Sequence, residues 1–219
     1  MSLAERLIEL RQQAAKRLGP AVFEIYDSCI DHLREINFID GCLNVGDKIP
    51  EFALPNAEGQ LVMSGELLAR GLLVICFFRG DWCPYCSLEL QALSEVLPRI
   101  RATGATLLAV TPDSAGHPLR TKRRFGLEYE VLSDLDNGLG LQFGVIFRVP
   151  DNLRRLYESN GIDLVSRHGN PEIFLPIPAT YIVDRSGTIR HAELDTDFKR
   201  RMEPEAIAQI LERLRAEEK

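Results

Sequence analysis

The amino-acid sequence predicts an α/β protein in which a helical hairpin precedes a layered body of strands and helices. Near the N-terminus, apolar residues recur at intervals of three and four, which is the period of a helix. Residues 72–78 are apolar on both faces and short, as expected of a central strand that is covered on both sides. Strand and helix patterns then alternate, and a β-hairpin and a final helix follow, which is the order of an α/β sandwich.

Residues 3–40 are predicted to form two helices that meet at Gly19-Pro20, since glycine ends a helix readily and proline is tolerated in the first turn. Their apolar positions are Leu3, Leu7, Leu10, Ala14, Leu18, Val22, Ile25, Cys29, Leu33 and Ile36. This hairpin has too little apolar surface to be stable alone, so we expect it to dock on the main body or on a second subunit. We therefore divide the chain into an N-terminal extension, residues 1–43, and a main domain, residues 44–219.

The main domain begins with the turn Gly46-Asp47-Lys48-Ile49-Pro50 and then alternates between strands and helices. The predicted strands lie at residues 52–54, 61–63, 72–78, 106–110, 131–133, 180–183 and 188–192. The predicted helices lie at residues 84–102, 114–126 and 151–159, with a last one that begins at Pro204. The turn Asp184-Arg185-Ser186-Gly187 joins the last two strands into a β-hairpin.

Composition indicates a soluble globular protein and excludes several classes. The 219 residues include 26 Lys and Arg against 32 Asp and Glu, so the net charge is −6, and 45% of the residues are apolar. An acidic balance disfavours nucleic-acid binding, which needs a basic face. No apolar segment approaches the ~20 residues of a membrane-spanning helix. Residues 1–6 show no apolar core of a secretory signal, so we expect a cytoplasmic protein.

The segment that carries chemistry is Cys83-Pro84-Tyr85-Cys86, at the start of a predicted helix that follows the buried strand. Cys83 would occupy the N-cap and Pro84 the first helical position. The unpaired amides of the first turn favour a thiolate at Cys83, and such sites lower a cysteine pKa from ~8.5 to roughly 3.5–7.5. Cys86, one turn later, is spaced to form a disulfide with Cys83. A redox-active pair is therefore predicted.

Two other interpretations of this pair remain open: half of a zinc site, or an inert buried pair. Cys29, His32 and Cys42 could supply further zinc ligands, although Cys29 lies on the apolar face of its helix. Cys76 is expected in the core. Cys42 is expected to be exposed, with a role as a resolving thiol as the less favoured alternative.

A second signal is Pro178, directly before the predicted strand at residues 180–183. We expect a cis Ile177–Pro178 bond, which would leave the backbone groups of Ile177 free to pair with a substrate chain. The plain alternative is a proline that merely starts a strand. Thr111 ends a strand at the carboxyl edge of the sheet, where α/β sites gather, and is a further candidate for the pocket. Asp81 is expected to point to solvent.

Several segments together resemble the AhpC/TSA (peroxiredoxin) superfamily, which has the thioredoxin fold. They are Gly46-Asp47-x-x-Pro50-x-Phe52-x-Leu54, Phe77-Phe78-Arg79-Gly80-x-Trp82-Cys83, Leu132-Ser133-Asp134 and Phe143-Gly144-Val145. The sequence is most similar to a peroxiredoxin-like branch with an Arg-Gly-x-Trp-Cys-Pro-x-Cys motif, over about residues 45–215. The resemblance implies a thioredoxin-like three-layer sandwich, with the hairpin outside it.

The sequence departs from the peroxiredoxin pattern at two places. The family motif is Pro-x-x-x-Thr/Ser-x-x-Cys, but this chain has Cys76 in place of the proline and Gly80 in place of the threonine. In addition, Pro178 stands where the family has its second arginine. Those groups orient the hydroperoxide in the family. Arg79, four residues before Cys83, is our candidate to take over that role.

The resemblance implies a thiol peroxidase in which the Cys83 thiolate reduces a hydroperoxide, becomes a sulfenic acid and condenses with Cys86, and a thioredoxin-like dithiol then recycles the disulfide. The alternative enzyme is a thioredoxin-like thiol–disulfide oxidoreductase. The alternative from another class is a binding or scaffold protein with a structural cysteine pair. The candidate substrate-binding residues are Arg79, Trp82, Pro84, Tyr85, Thr111, Ile177 and Pro178. No cofactor, metal, nucleic-acid or membrane partner is expected, and the hairpin suggests a homodimer contact.

Overall fold

The computed structural model describes residues 1–114 and 116–217. Its helices are α1 Leu3–Leu18, α2 Pro20–Glu35, α3 Ser64–Arg70, α4 Pro84–Ala102, α5 His117–Phe125, α6 Gly138–Phe143, α7 Asp151–Ser159, α8 Leu164–His168 and α9 Pro204–Glu217. Its strands are β1 Ala53–Pro55, β2 Leu61–Met63, β3 Leu73–Phe77, β4 Thr106–Thr111, β5 Glu130–Ser133, β6 Ile146–Arg148, β7 Phe174–Pro176, β8 Ala179–Val183 and β9 Ile189–Leu194. The predicted helix at 114–126 begins at His117, and Ala115 lies outside the described residues.

The central sheet has five strands in the order β5-β4-β3-β8-β9. Strand β3 runs parallel to β4 and antiparallel to β8, so it lies in the middle of the sheet. All five of its residues are buried, which explains why its sequence is apolar without alternation. Strands β1 with β2, and β6 with β7, form two small antiparallel sheets outside the centre.

Two hydrophobic clusters cover the two faces of the sheet and make the molecule a three-layer sandwich. Val74 and Cys76 of β3 pack towards α4 and α9, and Leu73 and Ile75 pack towards the opposite layer. Because side chains alternate along a strand, one strand supplies both clusters. The three-layer arrangement predicted from the sequence is confirmed.

The N-terminal hairpin docks on its own chain and contributes to both layers. Leu3 and Leu7 of α1 belong to the cluster that contains α4, whereas Cys29 and Leu33 of α2 belong to the opposite cluster. The two helices therefore pack against opposite layers of the sandwich. Within the part of the chain that the structure describes, no helix is both long and apolar enough to cross a membrane.

Candidate functional site

The site begins in the loop between β3 and α4. Gly80 has a positive φ of 131°, and a Cβ atom there would lie 2.5 Å from Trp82 Nε1 and 2.6 Å from Asp113 Oδ2. Only glycine fits both this backbone and this space. The loop turns so tightly that the Cys83 amide donates to the Gly80 carbonyl over 3.2 Å. The geometry of the loop therefore explains why position 80 is a glycine and not the threonine of the family motif.

Cys83 is the N-cap of α4 and Pro84 is its first residue, as the sequence predicts. The Cys83 side chain is buried, and Arg79 Nη2 donates to its sulfur over 2.8 Å. Burial alone would raise the pKa of Cys83. The hydrogen bond from the Cys86 thiol, the charges of Arg79 and Arg201 and the Cys86 amide outweigh burial and lower that pKa well below its usual value. The reduced site therefore favours a Cys83 thiolate.

Arg79 is a buried cation with aromatic rather than acidic neighbours. Its Nη1 donates to Tyr157 Oη over 3.1 Å, and its guanidinium carbon lies 4.0 Å from the ring centre of Phe198 and 5.2 Å from that of Trp82. Among residues 1–114 and 116–217, no carboxylate lies within 4.0 Å of it. The negative charge that Arg79 faces is that of the Cys83 sulfur, so the pair is electrically matched only when Cys83 is ionised.

Cys86 is fully buried, and it has an arginine of its own. Arg201 Nη2 lies 3.2 Å from the Cys86 sulfur, and Arg201 Nε donates to Glu89 Oε2 over 2.5 Å. Burial and the neighbouring Cys83 raise the pKa of Cys86 well above its usual value, although both arginines oppose this. The two cysteines thus differ: Cys83 is the thiolate and Cys86 the protonated partner.

A cavity of about 800 Å³ opens above Cys83, between the N-terminal hairpin and the main body. The hairpin contributes Leu10, Ala14, Arg17, Leu18, Phe23 and Tyr26, and the main body contributes Trp82, Tyr85, Tyr157, Ile162, Phe198 and Lys199. Cys83 lines this cavity, whereas Cys86 does not. A reactant that enters the cavity therefore reaches the Cys83 sulfur first.

Four of the predicted substrate-binding residues, Arg79, Trp82, Pro84 and Tyr85, line this cavity. A tyrosine between the two cysteines of such a motif is expected to be exposed, but Tyr85 is buried, and its ring packs against Phe198 with centroids 5.6 Å apart.

The predicted cis bond at Pro178 is wrong, since the Ile177–Pro178 peptide is trans. The Ile177 amide donates to Val145 O over 2.9 Å, and Pro178 O accepts from the Asp195 amide, so these backbone groups are already paired. Ile177 and Pro178 line a separate void of about 10 Å³. Neither residue belongs to the cavity above Cys83.

Thr111 and Asp81 belong to a buried ionic cluster beside the loop. Thr111 Oγ1 accepts from the Asp113 amide, and Arg167 of α8 binds Asp113 and Asp81, each over 2.5 Å. Asp81 therefore does not point to solvent, and Thr111 does not line the cavity. Burial raises the pKa of Asp113 to about 6, against the opposing effect of Arg167.

The remaining cysteines lie outside the cavity above Cys83. Cys42 is buried rather than exposed, its sulfur lies 3.2 Å from Gly144 O, and burial raises its pKa to about 11. Cys29 and Cys76 lie in the core, as predicted. Within residues 1–114 and 116–217, no three His, Cys, Asp or Glu side chains form a group that could hold a metal ion.

Sequence reasoning missed several residues of the site: Tyr26, Glu89, Tyr157, Phe198 and Arg201. One signal was available. Glu89 follows Cys86 by three residues and precedes Leu93 by four, which places a carboxylate on the apolar face of α4 and calls for a buried partner. A short basic run such as residues 199–201 predicts a solvated face, whereas the Arg201 side chain is only 1% exposed.

Comparisons with known proteins agree with the geometry. The chain is 29% identical over 104 residues to a putative peroxiredoxin bcp from Coxiella burnetii, covering 48% of this chain and 68% of the relative. It is 25% identical over 171 residues to the thiol-disulfide oxidoreductase ResA from Geobacillus thermodenitrificans, covering 78% of each.

Solved structures share the fold, which confirms the expected thioredoxin-like sandwich. Peroxidoxin BcpB from Mycobacterium tuberculosis superposes with a TM-score of 0.61 at 17% identity, covering 78% of this chain and 97% of that one. Peroxiredoxin Q from Xanthomonas campestris gives a TM-score of 0.57 at 20% identity, covering 75% and 91%. The model of the AhpC/TSA family matches residues 45–192, which include both cysteines of the motif, and the chain therefore belongs to the AhpC/TSA family.

Proposed function

We propose that this protein is a thiol peroxidase that reduces hydroperoxides at Cys83. The observation that carries the proposal is the contact of 2.8 Å between Arg79 Nη2 and the Cys83 sulfur at the base of the cavity. It supplies a nucleophilic thiolate together with a hydrogen-bond donor, which are the two groups that peroxide reduction requires. The peroxiredoxin relative supports the same chemistry.

In the first step, the Cys83 thiolate attacks one peroxide oxygen and the O–O bond breaks. Cys83 becomes a sulfenic acid, and the other oxygen leaves as an alcohol, or as water from hydrogen peroxide, after it takes up a proton. Negative charge moves from sulfur to oxygen in this step. The Arg79 guanidinium, fixed by Tyr157 and Phe198, lies where it can stabilise that charge without reorganising.

In the second step, the Cys86 sulfur attacks the sulfenic sulfur, the S–O bond breaks and water leaves, which gives a Cys83–Cys86 disulfide. We propose that a thioredoxin-like dithiol opens this disulfide at Cys83, because Cys83 is the sulfur that lines the cavity. We also propose that the protein works in a reducing compartment such as the cytoplasm, because its cysteines are unpaired. The homodimer contact suggested by the hairpin stays a prediction.

A thiol–disulfide oxidoreductase is the second candidate, favoured by the Cys-Pro-Tyr-Cys helix start and by the ResA relative. The trans Pro178 weighs against it, because a disulfide substrate chain would need free backbone groups beside the cysteines, and the Ile177 amide and the Pro178 carbonyl are already paired.

Stopped-flow oxidation of the reduced protein by hydrogen peroxide and by cumene hydroperoxide tests the proposal. Trp82, the single tryptophan, contacts Arg79 and reports the reaction by fluorescence. We expect a rate constant about a hundredfold or more above that of free cysteine thiolate, the gain typical of one preorganised donor. Cys83→Ser should abolish the reaction. Cys86→Ser should stop at a sulfenic acid that dimedone traps, and Cys42→Ser serves as the matched control.

A rate no faster than free cysteine, together with rapid reduction of insulin, would favour the second candidate instead.

A further inference from the structure

A buried ion pair lies beside Cys86, and neither of its residues lines the cavity above Cys83. Arg201 and Glu89 have side chains that are 1% and 5% exposed, and their atoms Nε and Oε2 are 2.5 Å apart. The free Nη2 of the same guanidinium lies 3.2 Å from the Cys86 sulfur. One arginine thus joins the helix residue Glu89 to the second cysteine.

The orientation of Arg201 is fixed on every side. Its Nη1 donates to the carbonyls of Phe198 and Arg200, and its Nε donates to Glu89. A guanidinium presents its donors in a rigid plane, so these bonds also fix the direction of Nη2. The donor that remains points at the Cys86 sulfur.

A purely structural role explains this arrangement poorly. Burying an ion pair costs desolvation that its attraction only partly offsets, so such pairs are weak sources of stability. A neutral thiol also gains little from a cation, whereas a thiolate gains much. The contact between Arg201 and Cys86 becomes strong only when Cys86 carries a negative charge.

We propose that Arg201 is a catalytic residue of the second half-reaction, in which it stabilises the thiolate of Cys86, and that Glu89 is the positioning residue that orients Arg201. For the step that forms the disulfide, this inference rests on the proposed function. For the step that opens the Cys83–Cys86 disulfide, it requires only that the disulfide exists. It assigns each sulfur its own arginine: Arg79 to Cys83 and Arg201 to Cys86.

During disulfide formation, the S–H bond of Cys86 breaks as its sulfur bonds to the sulfenic sulfur of Cys83. The thiol proton joins the departing hydroxide, so that one water leaves and no other reactant is needed. During disulfide opening, a dithiol attacks Cys83 and the S–S bond breaks. Cys86 then leaves with the electron pair as a thiolate and takes up a proton afterwards. Arg201 faces the same developing charge in both directions.

The electrostatics support this geometry. Burial and the Cys83 charge raise the pKa of Cys86, so forming its thiolate is the difficult part of either direction. Arg201 opposes that rise. A fully buried sulfur without a cation would be a poor nucleophile and a poor leaving group at neutral pH.

The decisive experiment follows Trp82 fluorescence after mixing the reduced protein with excess cumene hydroperoxide. Oxidation of Cys83 gives a phase that depends on peroxide concentration, and disulfide formation gives a later phase that does not. In Arg201→Lys we expect the rate of the later phase to fall about tenfold or more. A lysine ammonium keeps the positive charge, but it lacks the rigid set of guanidinium donors that aims one N–H group at the Cys86 sulfur. The first phase should change by less than about threefold.

The role of Glu89 is tested by which kinetic phase its variants slow, and by whether a conservative variant restores the rate. Glu89→Leu should slow the later phase about as much as Arg201→Lys, whereas Glu89→Gln, which keeps an acceptor oxygen for Arg201 Nε, should recover most of the rate. A merely structural role would lower the melting temperature of both variants without separating the phases. Arg200→Lys and Glu95→Gln are the matched controls, because both side chains are exposed, at 71% and 65%.

A second measurement separates this inference from the proposed function. The pre-oxidised protein is mixed with dithiothreitol, without peroxide, and opening of the disulfide is followed. Arg201→Lys should again be slowed about tenfold or more, even if the wild type proves slow with peroxides. Folded Arg201→Lys protein that forms and opens the disulfide within twofold of the wild-type rates would overturn the inference.

Discussion

At the scale of single residues, the site is organised by two arginines: Arg79, which belongs to the motif around Cys83, and Arg201, which lies outside it. Arg79 lies among Tyr157, Phe198 and Trp82 and meets the Cys83 sulfur rather than a carboxylate. The sequence suggested Arg79 as a replacement for the missing threonine, since it stands one turn before Cys83. Its direction could not be predicted, because that is set by a tyrosine 78 positions away.

Replacement of Arg79 by methionine removes the donor but keeps much of the side-chain volume. We expect the rate constant for hydroperoxide to fall about a hundredfold, and the pKa of Cys83 to rise, because burial is then opposed by fewer charges. Iodoacetamide alkylation as a function of pH measures that pKa. Arg101→Met, at a side chain that is 52% exposed and pairs with an exposed glutamate, is the control. An unchanged alkylation profile would contradict the role given to Arg79.

The lowered pKa of Cys83 also makes stability depend on pH. In the reduced protein, the folded state releases the Cys83 proton at a lower pH than the unfolded state, whose ordinary value is 9.0. The contribution of Cys83 is therefore fully present above pH 9.0 and is lost as the pH falls through the lowered folded-state pKa.

The test compares reduced wild type with Cys83→Ser by urea unfolding. Between the lowered pKa and pH 9.0, the difference in their free energies of unfolding should grow with pH by at most about 1.4 kcal/mol per unit. A difference that does not change with pH would show that Cys83 has an ordinary pKa in the folded state.

At the scale of elements, the long and strongly patterned segments were predictable, whereas several of the short ones were not. The start of α4 at Pro84 follows from local chemistry, since proline suits the first helical position and Cys83 the cap. Strands β6 and β7 have three residues each and α8 has five, too few to show a period. Yet α8 carries Arg167, which pairs with Asp81 in the loop before Cys83.

Arg167 neutralises Asp113, whose side chain is 1% exposed, and Asp81, which is 14% exposed. Arg167→Leu leaves both carboxylates without this partner in a poorly solvated site. We therefore expect a loss of about 3–5 kcal/mol in the free energy of unfolding. The double variant Arg167→Leu/Asp113→Asn should recover part of this loss, because the more buried charge is removed as well.

Chemical denaturation of the single and double variants measures this coupling. Arg148→Leu serves as the control. Arg148 of β6 is 61% exposed and pairs with an exposed glutamate, so its removal should lower the free energy of unfolding by no more than about 1 kcal/mol. Equal losses in Arg167→Leu and Arg148→Leu would mean that the cluster beside the loop is solvated in solution.

At the scale of the whole molecule, parts of the chain outside residues 45–192 complete the site. The segment at residues 198–203 supplies Phe198 and Arg201, and it also binds the hairpin: Lys199 Nζ donates to Asp27 over 2.8 Å, and Glu203 accepts from the amides of Leu3 and Ala4. The family resemblance predicted the sandwich and the cysteine pair. It could not predict the cavity, because that depends on how a segment outside the family match packs.

The cavity leads to a prediction about substrate size. Its volume of about 800 Å³ and its largely apolar walls far exceed what hydrogen peroxide needs, so we expect a higher rate with cumene hydroperoxide than with hydrogen peroxide. Ala14 of α1 lines this cavity, and Ala14→Phe would place a ring inside it. The rate with cumene hydroperoxide should fall about tenfold, while the rate with hydrogen peroxide should stay within about twofold, because the small oxidant still reaches Cys83.

Ala15→Phe is the control for this experiment, since Ala15 is exposed on the same helix and does not line the cavity. Both substitutions add a ring at neighbouring positions of α1, so a general effect on the hairpin would appear in both variants, whereas blockage would appear only at position 14. If Ala14→Phe slows the two oxidants equally, the cavity does not select substrates by size. If it slows neither, organic hydroperoxides reach Cys83 by another route.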